Sequence, residues 1–559
     1  MTSNYHCFCV VTTILLKMKN KVLVFLFLFV TPMVFGQSGN LAPNSGFEQG
    51  TNSWVVRSAQ IDKSVKHSGK SSLRYTTEDA KNYKVIVTHI PVKGGESLRF
   101  SVWVKGLDIQ PAQFGKKGAG IYLHAYDENN KSLGGSNPPT PSGTFDWTKV
   151  EGLYEVPAKA RKIAISLYIV KGNTGTAWFD DVIVEPFTLK LGTNTTISSR
   201  KVTGNTYLDS EGFTVKDGKR IFPFGIYIGK AEKQKIWENE VLHLSRLKEA
   251  GFNTVLSYIH GDRSNGGEYL DRLDSLGLYS IYSLSYLYDG NEYYYPKNGQ
   301  IASERISILV NELKSKKALL AWYTGDEIEL SHILTAKENF EIIKNLDKDH
   351  LVYQVANKKE MVPKLVQAAD VFGMDPYPIN KMSTVSDLGL VRDLTSYTIE
   401  IANQNRGVWP VIQIFNKVAF QKEISDDFAD PSQEEMQNML YQAVIEGAKG
   451  IMFYAYHTLW YGNDTSGKGG FSEEIYQRRW SDVSSVSKSF EKIIPIILSG
   501  QPVDLPKLKE SKGLIWKAWK FENEVYIMIA NIMNTPNRLY VDKENNFEIK
   551  PYGSLFVKL

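Results

Sequence analysis

The chain has almost no cysteine. Its 559 residues hold two, Cys7 and Cys9. Both precede an apolar N-terminal run, so beyond that run no disulfide, thiolate nucleophile or cysteine-based metal site is expected. A dominant charge is also lacking. The 65 Lys and Arg against 61 Asp and Glu leave a formal net charge of +4, scattered along the sequence, with no footprint for nucleic acid or an anionic surface. No serine elbow, phosphate-cradling glycine loop or HExxH motif appears anywhere.

Aromatic residues, in contrast, are plentiful. They make up 12% of the chain, with 30 Tyr and 11 Trp. Tyr and Trp offer a flat apolar face and a polar tip, which suits surfaces that meet sugars; aromatic β cores account for part of the excess. At the N-terminus, MKNKVLVFLFLFVTPMVFG over residues 18–36 has two lysines, an apolar stretch and a small terminal residue. This pattern predicts a secretory signal peptide over 1–36, too short for a membrane span, with Met18 as a candidate start. The expected location is secreted or periplasmic, with no span in the mature protein.

Residues 38–188 read as short alternating runs such as SLRFSVWVKG, GIYLHAYDE and KIAISLYIV, broken by Gly, Asn, Ser and Pro. That rhythm predicts a β-sandwich. Its opening NLAPNSGFEQGTNSW, its HSGKSSLRY and its closing TAWFDDVIVEP resemble the carbohydrate-binding jelly-roll modules attached to polysaccharide-degrading enzymes. The resemblance implies sugar binding, and a structural calcium where Glu48 and Asp181 would converge as hard oxygen ligands. Trp54, Trp103, Trp147 and Trp178 are candidate sugar-stacking residues, of which Trp103 and Trp178 fall in strand patterns that favour the core.

Residues 189–215 are polar and rich in Thr, Asn and Ser, as a linker or pairing segment would be. From 216 to 498 apolar strand-like runs alternate with amphipathic helical stretches, eight times over. This is the size and rhythm of a (β/α)8 barrel. Residues 500–559 return to β patterning and predict a small C-terminal sandwich without chemistry. The expected fold class is therefore multi-domain: a TIM barrel flanked by an N-terminal jelly roll and a C-terminal all-β domain.

A barrel carries its active site at the C-terminal ends of its strands. The residues there are Tyr227, then Tyr258 and His260, then Tyr323, Asp326 and Glu327, then Asp375 and Tyr377, Gln413, and finally Tyr454 and His457, with Trp460 just beyond. Carboxylates in an aromatic cup suit glycosidic bond cleavage, which needs a proton donor of raised pKa beside an anion or nucleophile. Adjacent Asp326 and Glu327 supply part of that logic, because one charge raises its neighbour's pKa.

AWYTGDEIE, DVFGMDPYPI, WPVIQIFN and GIMFYAYHT resemble the fourth, sixth, seventh and eighth strands of the large clan of retaining (β/α)8 glycoside hydrolases. The resemblance implies that Glu327 is the acid/base. It fails at the seventh strand, where that clan keeps a nucleophilic Glu and this chain has Gln413. Three accounts follow. Asp375 serves as nucleophile or water-activating base; or Asp326 orients a substrate acetamido group that itself attacks; or the barrel binds glycan without turnover. Each residue also has a plainer reading: Asp326 and Glu327 as helix-start acids, Asp375 as a turn residue before Pro376, His260 and His457 as hydrogen-bonded scaffolding. Trp460, in the loop HTLWYGNDTSGKGG, is expected to be an exposed sugar platform.

Together these readings predict a secreted glycoside hydrolase acting on a poly- or oligosaccharide, with no cofactor for catalysis. The alternatives are a non-catalytic glycan binder and, third, a polysaccharide lyase.

Overall fold

The computed structural model describes residues 39–559 apart from 82–83, 112–117, 189–203, 230–234, 237, 259, 261–264, 288–301, 384–385, 403–405, 422–426, 464–465, 467, 506–511 and 542–544. The expected signal peptide and most of the polar segment after residue 188 lie outside the described residues.

Two antiparallel sheets form the N-terminal part. One runs from Ala59–Asp62 through Ser72–Thr77, Asn173–Pro186 and Ser97–Pro111 to Gly143–Glu155; the other holds Ile86–Pro91, Lys162–Ile169, Ala119–Tyr126 and Ser132–Ser136. Alternation with a period of two sends Leu98, Phe100, Val102 and Val104 inward from one sheet and Ile121, Leu123 and Ala125 from the other. Trp54 and Trp178 are buried; Trp103 and Trp147 are half-buried, with Trp103 stacked on His67.

The middle of the chain builds one parallel sheet. Its strands are Phe224–Ile228, Thr254–Ser257, Tyr279–Ser283, Leu319–Asp326, Leu351–Ala356, Val371–Met374, the pair Gly407–Val408 and Val411–Gln413, and Ile451–Tyr454. We number them one to eight, the broken seventh counting once. Strand one pairs with strand eight, and the two halves of strand seven pair with strands six and eight. The sheet thus curls on itself, an arrangement consistent with a TIM-like barrel. Helices such as Glu240–Glu249, Ile333–Leu346 and Gln433–Glu446 follow individual strands. Residues facing the helices, such as Ile226, Trp322, Phe372 and Phe453, join one large core. Residues facing inward, such as Tyr227, Leu320, Tyr323 and Met452, form a separate one. Two faces buried in this way explain why these strands read as continuous apolar runs.

The far end of the polar segment does pair. Thr206–Leu208, Thr214–Lys216 and Lys219–Ile221 form a three-stranded sheet. Lys216 Nζ donates to the carbonyl of Leu319 at 3.0 Å, so the sheet covers the end of strand four opposite its carboxylates. The C-terminal strands Leu514–Phe521, Glu524–Asn531 and Ser554–Lys558 are antiparallel and pack on helix Gln433–Glu446. At the other flank, Gly143–Glu155 of the N-terminal part packs against the turn Leu330–His332 and helix Ile333–Leu346, and Lys364 pairs with Glu155.

Candidate active site

Along a regular strand neighbouring side chains point to opposite faces, yet Asp326 and Glu327 both line one cleft. Two local departures make this happen. The register between strands four and five slips between Tyr323 and Gly325, a bulge of the kind that re-aims a side chain. Glu327 then takes a left-handed backbone, φ 50°, while its N–H still donates to the Val355 carbonyl at 3.0 Å. A left-handed conformation costs a non-glycine residue about 1–2 kcal/mol. Gly325 permits the bend, since an added Cβ there would sit 2.2 Å from Ile328 Cδ1.

The cleft is about 300 Å³. It is lined by Tyr227, Asp326, Glu327, Val355, Asp375, Tyr377, Phe415, Lys417, Phe420, Gln421 and Tyr454. Asp326 is held from both sides: Tyr323 donates to Oδ1 at 2.6 Å and Tyr258 to Oδ2 at 2.7 Å. Crowding by surrounding protein pushes its carboxyl up, and the two tyrosine bonds pull it part of the way back. Glu327 is open to the cleft. Desolvation raises it, the Asp326 charge adds to the rise, and bonds to Asp375 and Asn357 oppose it. The Asn357 amide donates to Oε2 at 2.6 Å.

Asp375, at the end of strand six, is buried with only 8% of its surface exposed. Its Oδ1 has no hydrogen-bond partner among the described residues. Burial first, then the charge of Glu327 and the bond to it, pushes its carboxyl up to about 9. Burial and the neighbouring Glu327 charge thus favour the protonated form of Asp375. The tyrosine hydroxyls around them are also pushed up, chiefly by burial.

Of the residues singled out from the sequence, Tyr227, Asp326, Glu327, Asp375, Tyr377 and Tyr454 meet in this cleft, and Tyr258 and Tyr323 reach it through Asp326. Four others expected to contact sugar do not line it. His260 is buried between Glu240 and Asn265 and stacks on Tyr269; the Glu240 carboxylate, itself bound by Arg272, claims its ring. Gln413 is fully buried. Its Nε2 donates to the carbonyls of Ile379 and Phe415 at 2.8 and 3.1 Å, and its Oε1 accepts from Ile379 N, so it clamps backbone rather than facing substrate. The His457 ring lies against Gly229, where an added Cβ would come within 2.9 Å, and burial holds it down to about 4. Trp460 is 4% exposed, stacked on Tyr476 at 3.8 Å, and donates to Glu473; the helix that follows captures it as core.

Sequence reasoning passed over Val355, Phe415, Lys417, Phe420 and Gln421. The last four lie in VIQIFNKVAFQ, where a lone lysine and two phenylalanines directly beyond a strand end were the available signal.

In the N-terminal part, Glu48 accepts from the amides of Lys70 and Ser71 at 2.7 and 3.2 Å. Asp181 accepts from His67 and from the Ser68 hydroxyl at 2.7 and 2.8 Å. Both carboxylates thus face hydrogen-bond donors as arranged, and a calcium at this pair stays an expectation from the sequence.

Residues 39–176 match the family model of a carbohydrate binding domain. The chain thus carries that domain ahead of its parallel sheet. The tRNA nuclease WapA of Bacillus subtilis is 26% identical over 149 residues, 26% of this chain and 6% of that protein. The match therefore spans a small fraction of the curated relative's length. Among solved structures, the chain resembles the CBM22-1–GH10 modules of the Clostridium thermocellum endo-1,4-β-D-xylanase 10B complexed with xylohexaose, at 12% identity and a TM-score of 0.31, over 79% of this chain and 96% of that one. It also resembles a family 5 glycoside hydrolase from Bacteroides vulgatus, at 11% identity and a TM-score of 0.41, over 64% and 90%. What the comparisons assign to this chain is the carbohydrate binding domain over residues 39–176. Among the described residues, no helix is long and apolar enough to cross a membrane.

Proposed function

We propose that this protein is an exported glycoside hydrolase acting on a poly- or oligosaccharide, with Glu327 as its general acid/base. The observation that carries the reading is the meeting of three carboxyl groups from strands four and six in one aromatic cleft, where burial pushes all three up. The carbohydrate binding domain over residues 39–176 supports a glycan as the partner and would hold the cleft near a polymer.

Glycosidase carboxyls stand about 5–5.5 Å apart for retention and about 6.5–9.5 Å for inversion. Glu327 and Asp375 line the same cleft, and their separation would decide between the two outcomes. As the glycosidic oxygen enters, Glu327 takes a proton from the protonated Asp375 and delivers it to the leaving oxygen. Asp375, now ionised, faces the developing oxocarbenium ion as nucleophile or as base toward water. Asp326, fixed by two tyrosines, orients the sugar through an oxygen lone pair or tunes Glu327.

A lyase would need a tyrosine or histidine poised to lose a proton. Burial pushes the cleft tyrosines the other way, which disfavours that route. Gln413, standing where a seventh-strand nucleophile would be and tied to backbone, favours a binding-only barrel as the second reading. The test is a panel of aryl-glycosides and plant or algal polysaccharides against wild type, Glu327→Gln and Asp375→Asn. Cleavage by wild type that both variants lose supports the proposal. No cleavage, or equal cleavage by Glu327→Gln, removes it.

A further inference from the structure

One wall of the cleft carries a positive charge that no part of the proposed reaction uses. Lys417 lines the cleft on the short helix Lys417–Phe420. Asn416 fixes that turn: its side chain accepts from Val418 N at 2.9 Å and donates to Phe428 O at 3.1 Å and to Asp430 Oδ1 at 2.9 Å. Arg478 in turn holds Asp430 at 2.8 Å. The turn is anchored, so its side chains are presented to the cleft rather than left to wander.

Other lysines of the parallel-sheet part have acidic partners: Lys344 with Asp370, Lys358 with Glu329, Lys364 with Glu155, Lys381 with Asp427. Lys417 has no ion pair or hydrogen bond from its ammonium among the described residues. Nor do the cleft acids claim it. Asp326 is bound by two tyrosines, and Glu327 by Asn357 and Asp375. A half-buried ammonium without a counter-charge is costly, and burial lowers its pKa accordingly. Phe420, three residues on, is 54% exposed at the same cleft, its ring roughly parallel to Tyr454 at 6.2 Å and edge-on to Phe415 at 5.1 Å. A large exposed aromatic beside a spare cation is a platform with a charge at its edge.

We propose that the cleft takes an acidic carbohydrate, whose carboxylate or sulfate ester pairs with the Lys417 ammonium while its ring rests on Phe420. This rests on reading the cleft as a sugar site, and it adds the chemical class of the sugar.

Titration calorimetry on the full chain tests it, with three arms: uronic-acid oligosaccharides, sulfated galactose oligosaccharides, and neutral oligosaccharides of matched length. Lys417→Gln and Lys417→Arg are run alongside, with melting curves to check folding. One acidic arm should bind at least tenfold more tightly than the neutral arm. Lys417→Gln should erase the preference and Lys417→Arg should keep it. Absence of acidic binding, equal affinity for neutral and acidic arms, or a preference that survives in Lys417→Gln overturns the proposal; the last outcome would assign acid binding to the N-terminal domain. Product analysis of the same mixtures separates the two readings. Acidic binding lost in Lys417→Gln but without cleavage leaves this inference standing and removes the hydrolase. Cleavage confined to neutral glycans does the reverse.

Discussion

The hydroxyl of Tyr258, at the end of strand two, donates to Oδ2 of Asp326, at the end of strand four, across 2.7 Å. With Tyr323 on the other oxygen, it fixes the carboxylate's orientation without adding a cation. Hydrogen bonds to a charged group contribute about 1.5–3 kcal/mol.

Tyr258→Phe should therefore lower kcat/KM by roughly tenfold or more while leaving the melting temperature nearly unchanged. The double variant with Tyr323→Phe should lose more than the sum of the single effects, because both bonds orient one group. Steady-state kinetics on the four proteins of the cycle would measure this. A Tyr258→Phe protein with wild-type turnover would show that Asp326 needs no such fixing.

The raised Asp375 makes stability depend on pH. Asp375 titrates near 9 in the folded protein and near about 3.9 unfolded. Between those values the folded state binds more protons than the unfolded one, so stability falls as pH rises through that window. Asp375→Asn cannot ionise, so its melting temperature should exceed wild type at pH 8 and converge with it toward pH 4. Parallel melting curves across that range would check the sign, and a difference independent of pH would contradict it. The alkaline limb of the wild-type activity profile should report the loss of the same proton.

Trp460 stacks on Tyr476 and is buried. Trp460→Ala should cost about 3–5 kcal/mol of stability with sugar affinity retained at temperatures where the variant is folded. Calorimetric melting alongside a binding titration would separate the two, and loss of affinity without loss of stability would return Trp460 to the binding surface.

Gln413→Glu would install a carboxylate where the resembled clan keeps its nucleophile. Here it would face the Ile379 and Phe415 carbonyls that the Gln413 amide now satisfies. The expected outcome is destabilisation by about 3 kcal/mol and no gain in turnover. A faster, equally stable variant would mean that the seventh strand can host the reaction after all.

The eight strands were legible because burial on both faces writes long apolar runs such as LLAWYT, and because a strand end that turns polar stands out against them. Direction at those ends was not legible. His260, Gln413, His457 and Trp460 sit at the right sequence distance, but partners remote in the chain decide where they point: Glu240, the Ile379 backbone, Gly229 and Tyr476. Lys417 and Phe420 went unread for the converse reason. Their importance comes from the anchored turn after Asn416, which no periodicity announces. The left-handed backbone at Glu327 is likewise invisible in AWYTGDEIE, although the glycine before the acidic pair makes room for it.

The strand Gly143–Glu155 of the carbohydrate binding part rests on the turn Leu330–His332, three residues beyond Glu327, and at Gly152 an added Cβ would approach Ser331 O to 2.9 Å. Such an appendage is more than a tether. It is a brace on the segment that aims Glu327, so trimming it away or exchanging it for a foreign cassette would disturb the cleft as well.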